Sequence, residues 1–298
     1  MSRPTILSCG EVLWDLFPDG ARFGGAPANF ACHAAILGGE VSLLSAVGTD
    51  ARGDEALTIL QGFGIDSSLI QRIPGAATGS VGVSVDAAGK PSFEIHADSA
   101  WDRIAWTKAL EARLGAIDAI YFGTLGLRGA ESRATIRRAV SLAKTRSILR
   151  VLDVNLRKPF HDAALIRESI AQASVLKLSD DELGEVAAAC GVVMDTRPEA
   201  TLRALLARFQ LDLLVMTRGA EGAILVSAND AVFQPGIPTI VRDTVGAGDS
   251  FTAALVIGLL RHEPHAAVLR KACEIASAVC AHAGAVPPRG NPGSTASM

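Results

Sequence analysis

The chain has 298 residues and a mass of 30.9 kDa, which suits one large domain or two modest ones with a full core. It carries 28 Lys and Arg against 31 Asp and Glu, a net charge of −3, so charge makes no case for binding nucleic acid or an anionic membrane. Apolar residues at 49% and charged residues at 20% exclude a disordered chain, and no run of about 18 apolar residues is present to span a bilayer.

Thr5–Ser8 opens the chain as a short apolar strand, and one Arg before it with Gly10-Glu11 after it do not make a signal peptide. Glu11–Gly24 reads as irregular, and Pro27–Leu37 follows as a helix. Val41–Val47 is a strand and Gly53–Gln61 a helix. From Thr78 to His96 the apolar residues alternate, with Val81, Val83 and Val85 before, and Phe93 and Ile95 after, the segment Asp86-Ala87-Ala88-Gly89-Lys90. That pattern predicts an antiparallel ribbon with a glycine-containing turn.

Farther on, Ala119–Phe122, Ile148–Val154, Ser174–Leu178 and Asp212–Thr217 read as strands. Glu131–Lys144, Ala163–Ala173, Asp180–Ala189 and Pro198–Phe209 read as the helices between and after them. Two long helices, about Asp249–Leu260 and Pro264–Ala283, close the pattern, and the tail from about Pro287 reads as loose. Alternation of continuous apolar strands with helices predicts an α/β fold: a doubly wound, mainly parallel sheet with helices on both faces. One domain is expected over 1–298, with a small β-lid made from about 11–24 and 78–103 over the carboxyl edge of the strands, where ligands bind. The five cysteines are odd in number and widely spaced, so a reduced, cytoplasmic chain is expected, with Cys9 and Cys32 in the core.

The most informative segment is Asp243-Thr244-Val245-Gly246-Ala247-Gly248-Asp249-Ser250-Phe251, just ahead of a strongly apolar helix. The amides of Gly246, Ala247 and Gly248 can converge on an anion, helped by the positive end of the helix dipole. Asp249 then stands beside that anion. It is either a helix cap or a general base for a hydroxyl attacking a phosphate. Asp15 and Asn29 flank the Gly24-Gly25 turn. They are either partners for vicinal hydroxyls or a solvated loop residue and a cap. Arg157 suits a phosphate or carboxylate, or else a surface ion pair. Trp101 stacks on a substrate or anchors the ribbon, and His96 reads as a lid surface residue.

Several segments together resemble the PfkB/ribokinase family of sugar kinases. They are Gly10-Glu11-Val12-Leu13-Trp14-Asp15, Gly24-Gly25-Ala26-Pro27-Ala28-Asn29, Val47-Gly48-Thr49-Asp50 with Gly53, Asp153-Val154-Asn155-Leu156-Arg157, Thr217-Arg218-Gly219-Ala220-Glu221-Gly222, and the segment ending in Asp249. They run in the family's order, and Asp153–Arg157 is similar to the fructokinase-like branch. Where the family has N-x-x-E, this chain has Ser179-Asp180-Asp181-Glu182, keeping the Glu and replacing the Asn by Ser. The spacing from Asp15 to Gly24 is short, so a reduced lid is expected.

The resemblance implies a ribokinase-like fold and transfer of the ATP γ-phosphoryl group to a primary hydroxyl of a ketose, fructose first. Asp249 would be the base, with Gly246, Ala247 and Gly248 as the anion hole. Asp15, Gly25, Asn29, Asn155 and Arg157 would bind the sugar, and Thr217, Gly219 and Gly222 the nucleotide. Glu182 would act on Mg2+ through water, and Asp243 with the Val245 carbonyl would hold a monovalent cation such as K+. Two lids pairing into a homodimer would cover their open edges. Kinases for 2-keto-3-deoxygluconate, another sugar or a nucleoside are the nearest alternatives, and a non-catalytic sugar or nucleotide sensor is the alternative of a different class. The chain has no G-x-x-x-x-G-K-[ST] and no G-x-G-x-x-G after the first strand, which sets aside P-loop and nicotinamide chemistry.

Overall fold

The computed structural model describes residues 3–85 and 91–287. The ribbon turn expected over 86–90 and most of the tail expected to be loose lie outside the described residues. The strands, in chain order, are β1 (Thr5–Cys9), β2 (Leu13–Phe17), β3 (Gly20–Gly24), β4 (Glu40–Gly48), β5 (Ile70–Ile73), β6 (Gly79–Val85), β7 (Pro91–Ile95), β8 (Ala119–Gly123), β9 (Leu149–Asp153), β10 (Val175–Ser179), β11 (Leu213–Thr217), β12 (Ala223–Ser227) and β13 (Ala231–Gln234). The helices are α1 (Ala26–Ile36), α2 (Ala51–Gly62), α3 (Lys108–Arg113), α4 (Ala130–Thr145), α5 (Ala163–Gln172), α6 (Asp180–Ala189), α7 (Pro198–Phe209), α8 (Ala247–Leu260) and α9 (His265–Cys280).

Nine strands form one sheet in the order β13-β12-β11-β10-β9-β8-β1-β4-β5. From β5 to β11 all neighbours are parallel, whereas β12 and β13 add an antiparallel edge. Parallel strands buried on both faces explain the continuous apolar runs read from the sequence. One core lies on each side. Leu7, Leu44, Ile120, Leu152 and Leu176 pack against α4 and α5. On the opposite face, Ile6, Leu43, Tyr121 and Val215 pack with Phe30 of α1 and with Leu255 of α8. Cys9 and Cys32 belong to these cores, as expected.

The second sheet has the order β3-β2-β6-β7. Residues 11–24 are thus not irregular: β2 and β3 make an antiparallel hairpin, and β2 joins the β6–β7 ribbon in parallel. The β6–β7 ribbon is tied to the main body by Asp50. Its carboxylate accepts from the amides of Gly53 and Thr78, both at 2.8 Å, and from the Thr78 hydroxyl. The Gly48 amide donates to that hydroxyl at 2.9 Å. A Cβ on Gly48 or Gly53 would fall 2.5 Å from a backbone oxygen, so both glycines are required by close approach. Trp101 is fully buried, with the Arg128 guanidinium 3.9 Å from its ring centroid, so it anchors the ribbon's base.

Candidate active site

The carboxyl ends of β1, β8, β9 and β10 share one edge of the sheet, and the β2–β6 ribbon stands over it. Between them lies a cavity of about 530 Å³. Of the residues singled out in the sequence, Asp15, Gly25, Asn29, Asn155, Arg157, Val245, Gly246, Gly248 and Asp249 all line it.

Asp249 sits in the first turn of α8 and is 9% exposed. Its Oδ2 accepts from Asn29 Nδ2 at 2.9 Å, so Asn29 is a partner of the carboxylate and not a helix cap. Burial raises the Asp249 carboxyl above its ordinary range, against the Asn29 bond and the charges of Lys177 and Arg157. Gly246 caps α8 at φ +79°, and a Cβ there would come 2.4 Å from the Ala285 carbonyl, so this turn needs glycine. Among the described residues the Gly246 and Gly248 amides meet no acceptor, as an anion hole requires. The Ala247 amide is a correction: it donates to the Thr244 carbonyl at 3.2 Å, closing the turn that starts the helix.

Lys177 and Asp153 also line the cavity, outside the set of expected site residues. Lys177 Nζ pairs with Asp153 Oδ2 at 3.0 Å, and both side chains are buried. Thr252 of α8 adds a hydroxyl to the same oxygen at 3.2 Å. Burial lowers Lys177, but Asp153, Glu182 and Asp249 outweigh it and hold the ammonium above its ordinary value. Burial raises Asp153 to about 6 in spite of Lys177. A Cβ on Gly248 would lie 3.3 Å from Lys177 Nζ, so the ammonium stands directly against the glycine turn. The signal was available: a lysine inside a continuous apolar strand is almost never buried unless paired.

Asp15 is on β2, half-buried and raised by desolvation, with Arg157 and Arg22 pulling it back and Asp243 pushing it up. Arg157 is exposed and makes no ion pair among the described residues. Asn155 holds a left-handed backbone at φ +38°.

Glu182 lies outside the cavity lining. Its Oε1 accepts from the Leu156 amide at 2.6 Å and Oε2 from the Ser179 amide at 2.8 Å, so it pins the β9 exit loop to the start of α6. Ser179 serves as the α6 cap. Thr217, Gly219 and Gly222 also lie off the cavity, along the same edge at the end of β11. There Gly222, at φ +97°, packs so closely that a Cβ would meet the Gln234 carbonyl at 2.0 Å. Asp243 folds its own loop, with Oδ1 on the Val245 amide and Oδ2 on the Gly284 amide.

Residues 20–290 match the model of the pfkB family carbohydrate kinases. A fructokinase of Klebsiella pneumoniae is 29% identical over 263 residues, covering 85% of this chain and 83% of that one. An uncharacterized sugar kinase of Pyrococcus horikoshii, solved in complex with ATP, is 29% identical with a TM-score of 0.78, covering 94% and 93% of the two chains. In fold alone, the aminoimidazole riboside kinase of Salmonella enterica is also similar, with a TM-score of 0.79, 23% identity, and coverage of 94% and 95%. Among the described residues no helix is long and apolar enough to cross a membrane.

Proposed function

The chain belongs to the pfkB family of carbohydrate kinases, and from that premise we propose that it phosphorylates a primary hydroxyl of a neutral ketose, fructose first, with ATP as donor. The observation that carries this reading is the buried Asp249 carboxylate, held by Asn29 beside two unoccupied amides at the start of α8. A base has its place there only if a hydroxyl is to attack a bound phosphoryl group. That favours a kinase over a sensor.

The cavity's charge separates the sugar candidates. Glu11, Asp15, Asp153 and Asp249 line it against Lys177 and Arg157. Lys177 is already committed to Asp153. Arg157 acts on Asp15, Asp249 and Glu11. A sugar acid such as 2-keto-3-deoxygluconate would bring one more negative charge to a cavity where four carboxyl groups already face two cations. A neutral polyhydroxy substrate is therefore favoured.

The residues fit the cofactors of this chemistry. The amides of Gly246 and Gly248 and the α8 dipole suit phosphate oxygens. Among the described residues no three His, Cys, Asp or Glu side chains form a metal site. Magnesium would be held by the nucleotide phosphates, with Glu182 acting on it through water. Bound Mg-ATP supplies the transferable phosphoryl group and a counter-charge for it. Thr217, Gly219 and Gly222 border the nucleotide. A monovalent cation at Asp243 and the Val245 carbonyl belongs to the same proposal, and replacing K+ with a bulky organic cation tests it.

In the reaction, Asp15 and the carbonyl and amide groups near Asn155 orient the sugar. Asp249 takes the hydroxyl proton, and Lys177 and the Gly246 and Gly248 amides balance the charge that develops. The test is ADP formation with fructose, 2-keto-3-deoxygluconate, ribose and a nucleoside panel. Fructose is expected to give the highest kcat/KM. Preference for the sugar acid, or no ADP with any acceptor, overturns the proposal.

A further inference from the structure

Glu11 takes no part in the steps above, yet it lines the same cavity and is 3% exposed. Its Oε2 has no hydrogen-bond partner among the described residues. Asn29, also 3% exposed, gives Nδ2 to Asp249 and leaves Oδ1 without a partner. Buried polar atoms are nearly always paired, and one left unpaired is costly. Here two such atoms belong to residues of one cavity.

The Glu11 backbone cannot swing away to relieve this. A Cβ on Gly25 would stand 2.6 Å from the Glu11 carbonyl, and one on Gly10 would stand 2.6 Å from Pro27 Cγ. Gly126 closes the far side, its Cβ position 3.7 Å from Oε2. Close packing of three glycines thus fixes a carboxyl group with one unused oxygen.

We propose that Glu11 is a specificity-determining residue of the acceptor site, with Oε2 forming a hydrogen bond to a hydroxyl of the sugar. This rests on the kinase reading of the cavity, because only a polyhydroxy ligand supplies such a partner along with one for Asn29 Oδ1. Burial raises the Glu11 carboxyl to about 7, while its own amide, Arg157 and the Ala26 amide pull it down and Asp249 pushes it up. In either protonation state a carboxyl group can bond a hydroxyl, so the contact survives near neutrality.

The experiment uses the full chain, the best sugar from the acceptor panel and the monodeoxy analogues of that sugar. Glu11→Met, similar in volume, is expected to raise the sugar KM about 10- to 100-fold and to lower kcat by less. Glu11→Gln, which keeps hydrogen-bonding atoms, is expected to recover part of that loss. One monodeoxy analogue should be penalised in the parent and lose its extra penalty in Glu11→Met, as a double-mutant cycle reads it. A structural role alone would shift the melting temperature and leave every analogue's penalty unchanged. If Glu11→Met does not fold, Glu11→Gln carries the same cycle. A parent that forms ADP, with variant KM values within twofold of it and unchanged analogue penalties, overturns the role of Glu11 alone. A parent that forms no ADP overturns the kinase reading as well.

Discussion

Asn29 Nδ2 donates to Asp249 Oδ2 across 2.9 Å, although 220 positions separate the two residues in sequence. One belongs to the first turns of α1 and the other to the start of α8, and those helices pack along each other. The bond orients the carboxylate, and in the proposed reaction it leaves Oδ1 for the incoming hydroxyl.

Asp249→Asn is expected to lower kcat about 10²- to 10⁴-fold while sugar and nucleotide still bind. Because burial holds this carboxyl above its ordinary range, the base is lost as pH falls through a raised value. The acid limb of the parent's kcat profile should therefore lie above the usual carboxylate range. Turnover of Asp249→Asn within a few-fold of the parent would remove Asp249 as the base.

Asp15→Ala is expected to raise the sugar KM roughly 5- to 150-fold and leave the nucleotide KM nearly unchanged, because the truncation unpairs substrate hydroxyls. Steady-state kinetics with each substrate varied in turn decides it. Equal changes in both constants would instead indicate a collapsed lid.

The Lys177–Asp153 pair should behave as a unit. Lys177→Met leaves a buried carboxylate without its cation and is expected to cost about 3–5 kcal/mol in urea unfolding. Adding Asp153→Leu should recover most of that stability without restoring turnover. Full additivity of the two losses would show that the residues are not coupled.

Much of this arrangement was legible in the sequence, and the failures have physical causes. Parallel strands bury both faces, so runs such as Leu213–Thr217 announce themselves as apolar stretches. Short antiparallel edges do not. The β2–β3 hairpin was passed over although Pro18-Asp19-Gly20 offers a turn, because Asp15 and Arg22 break the apolar pattern. The β13 strand, four residues on an exposed edge, was missed too, and so was β12, although it is an apolar run as long as β11. Asp249, Asn29 and Asp15 could be found because glycine turns sit next to them. Lys177 could not be found by that route: it follows no turn, and its meaning lies in Asp153, on the adjacent strand. The Ala247 amide failed because a glycine-rich loop shows that amides are exposed to choice, but not which one the helix start consumes.

Stability should carry the mark of the buried acids. Glu11 is raised from 4.5 to about 7 and Asp153 from 3.8 to about 6. For a raised carboxyl the folded state binds the extra proton. Its contribution is thus full below the ordinary value and is lost as pH rises through the folded value. Melting temperatures of the parent and Glu11→Gln are therefore expected to diverge between about pH 4.5 and pH 7, with the variant gaining on the parent. A constant difference across that window would contradict the buried, titrating Glu11.

Gly248→Val tests the anion hole. Its Cβ would stand 3.3 Å from Lys177 Nζ, so the ammonium must give by a few tenths of an ångström or the amide must twist. Loss of one preorganised donor costs about 10²- to 10³-fold in rate. Reduced kcat with a nearly unchanged melting temperature is expected, since Gly248 is not held at positive φ as Gly246 is. Near-normal turnover in the folded variant would show that the amide does not contribute.

The antiparallel pair β12–β13 has a consequence for engineering. After β11 the chain runs down the sheet and back up, so it departs from and returns to the same edge before reaching α8. The excursion is neutral in direction: whatever its length, the start of α8 is delivered beside β9 and β10. Its bend, 228–230, is exposed and lies at the opposite rim from the cavity. A small reporter domain spliced into that bend would ride on the protein without touching the path that brings Asp249 to its place.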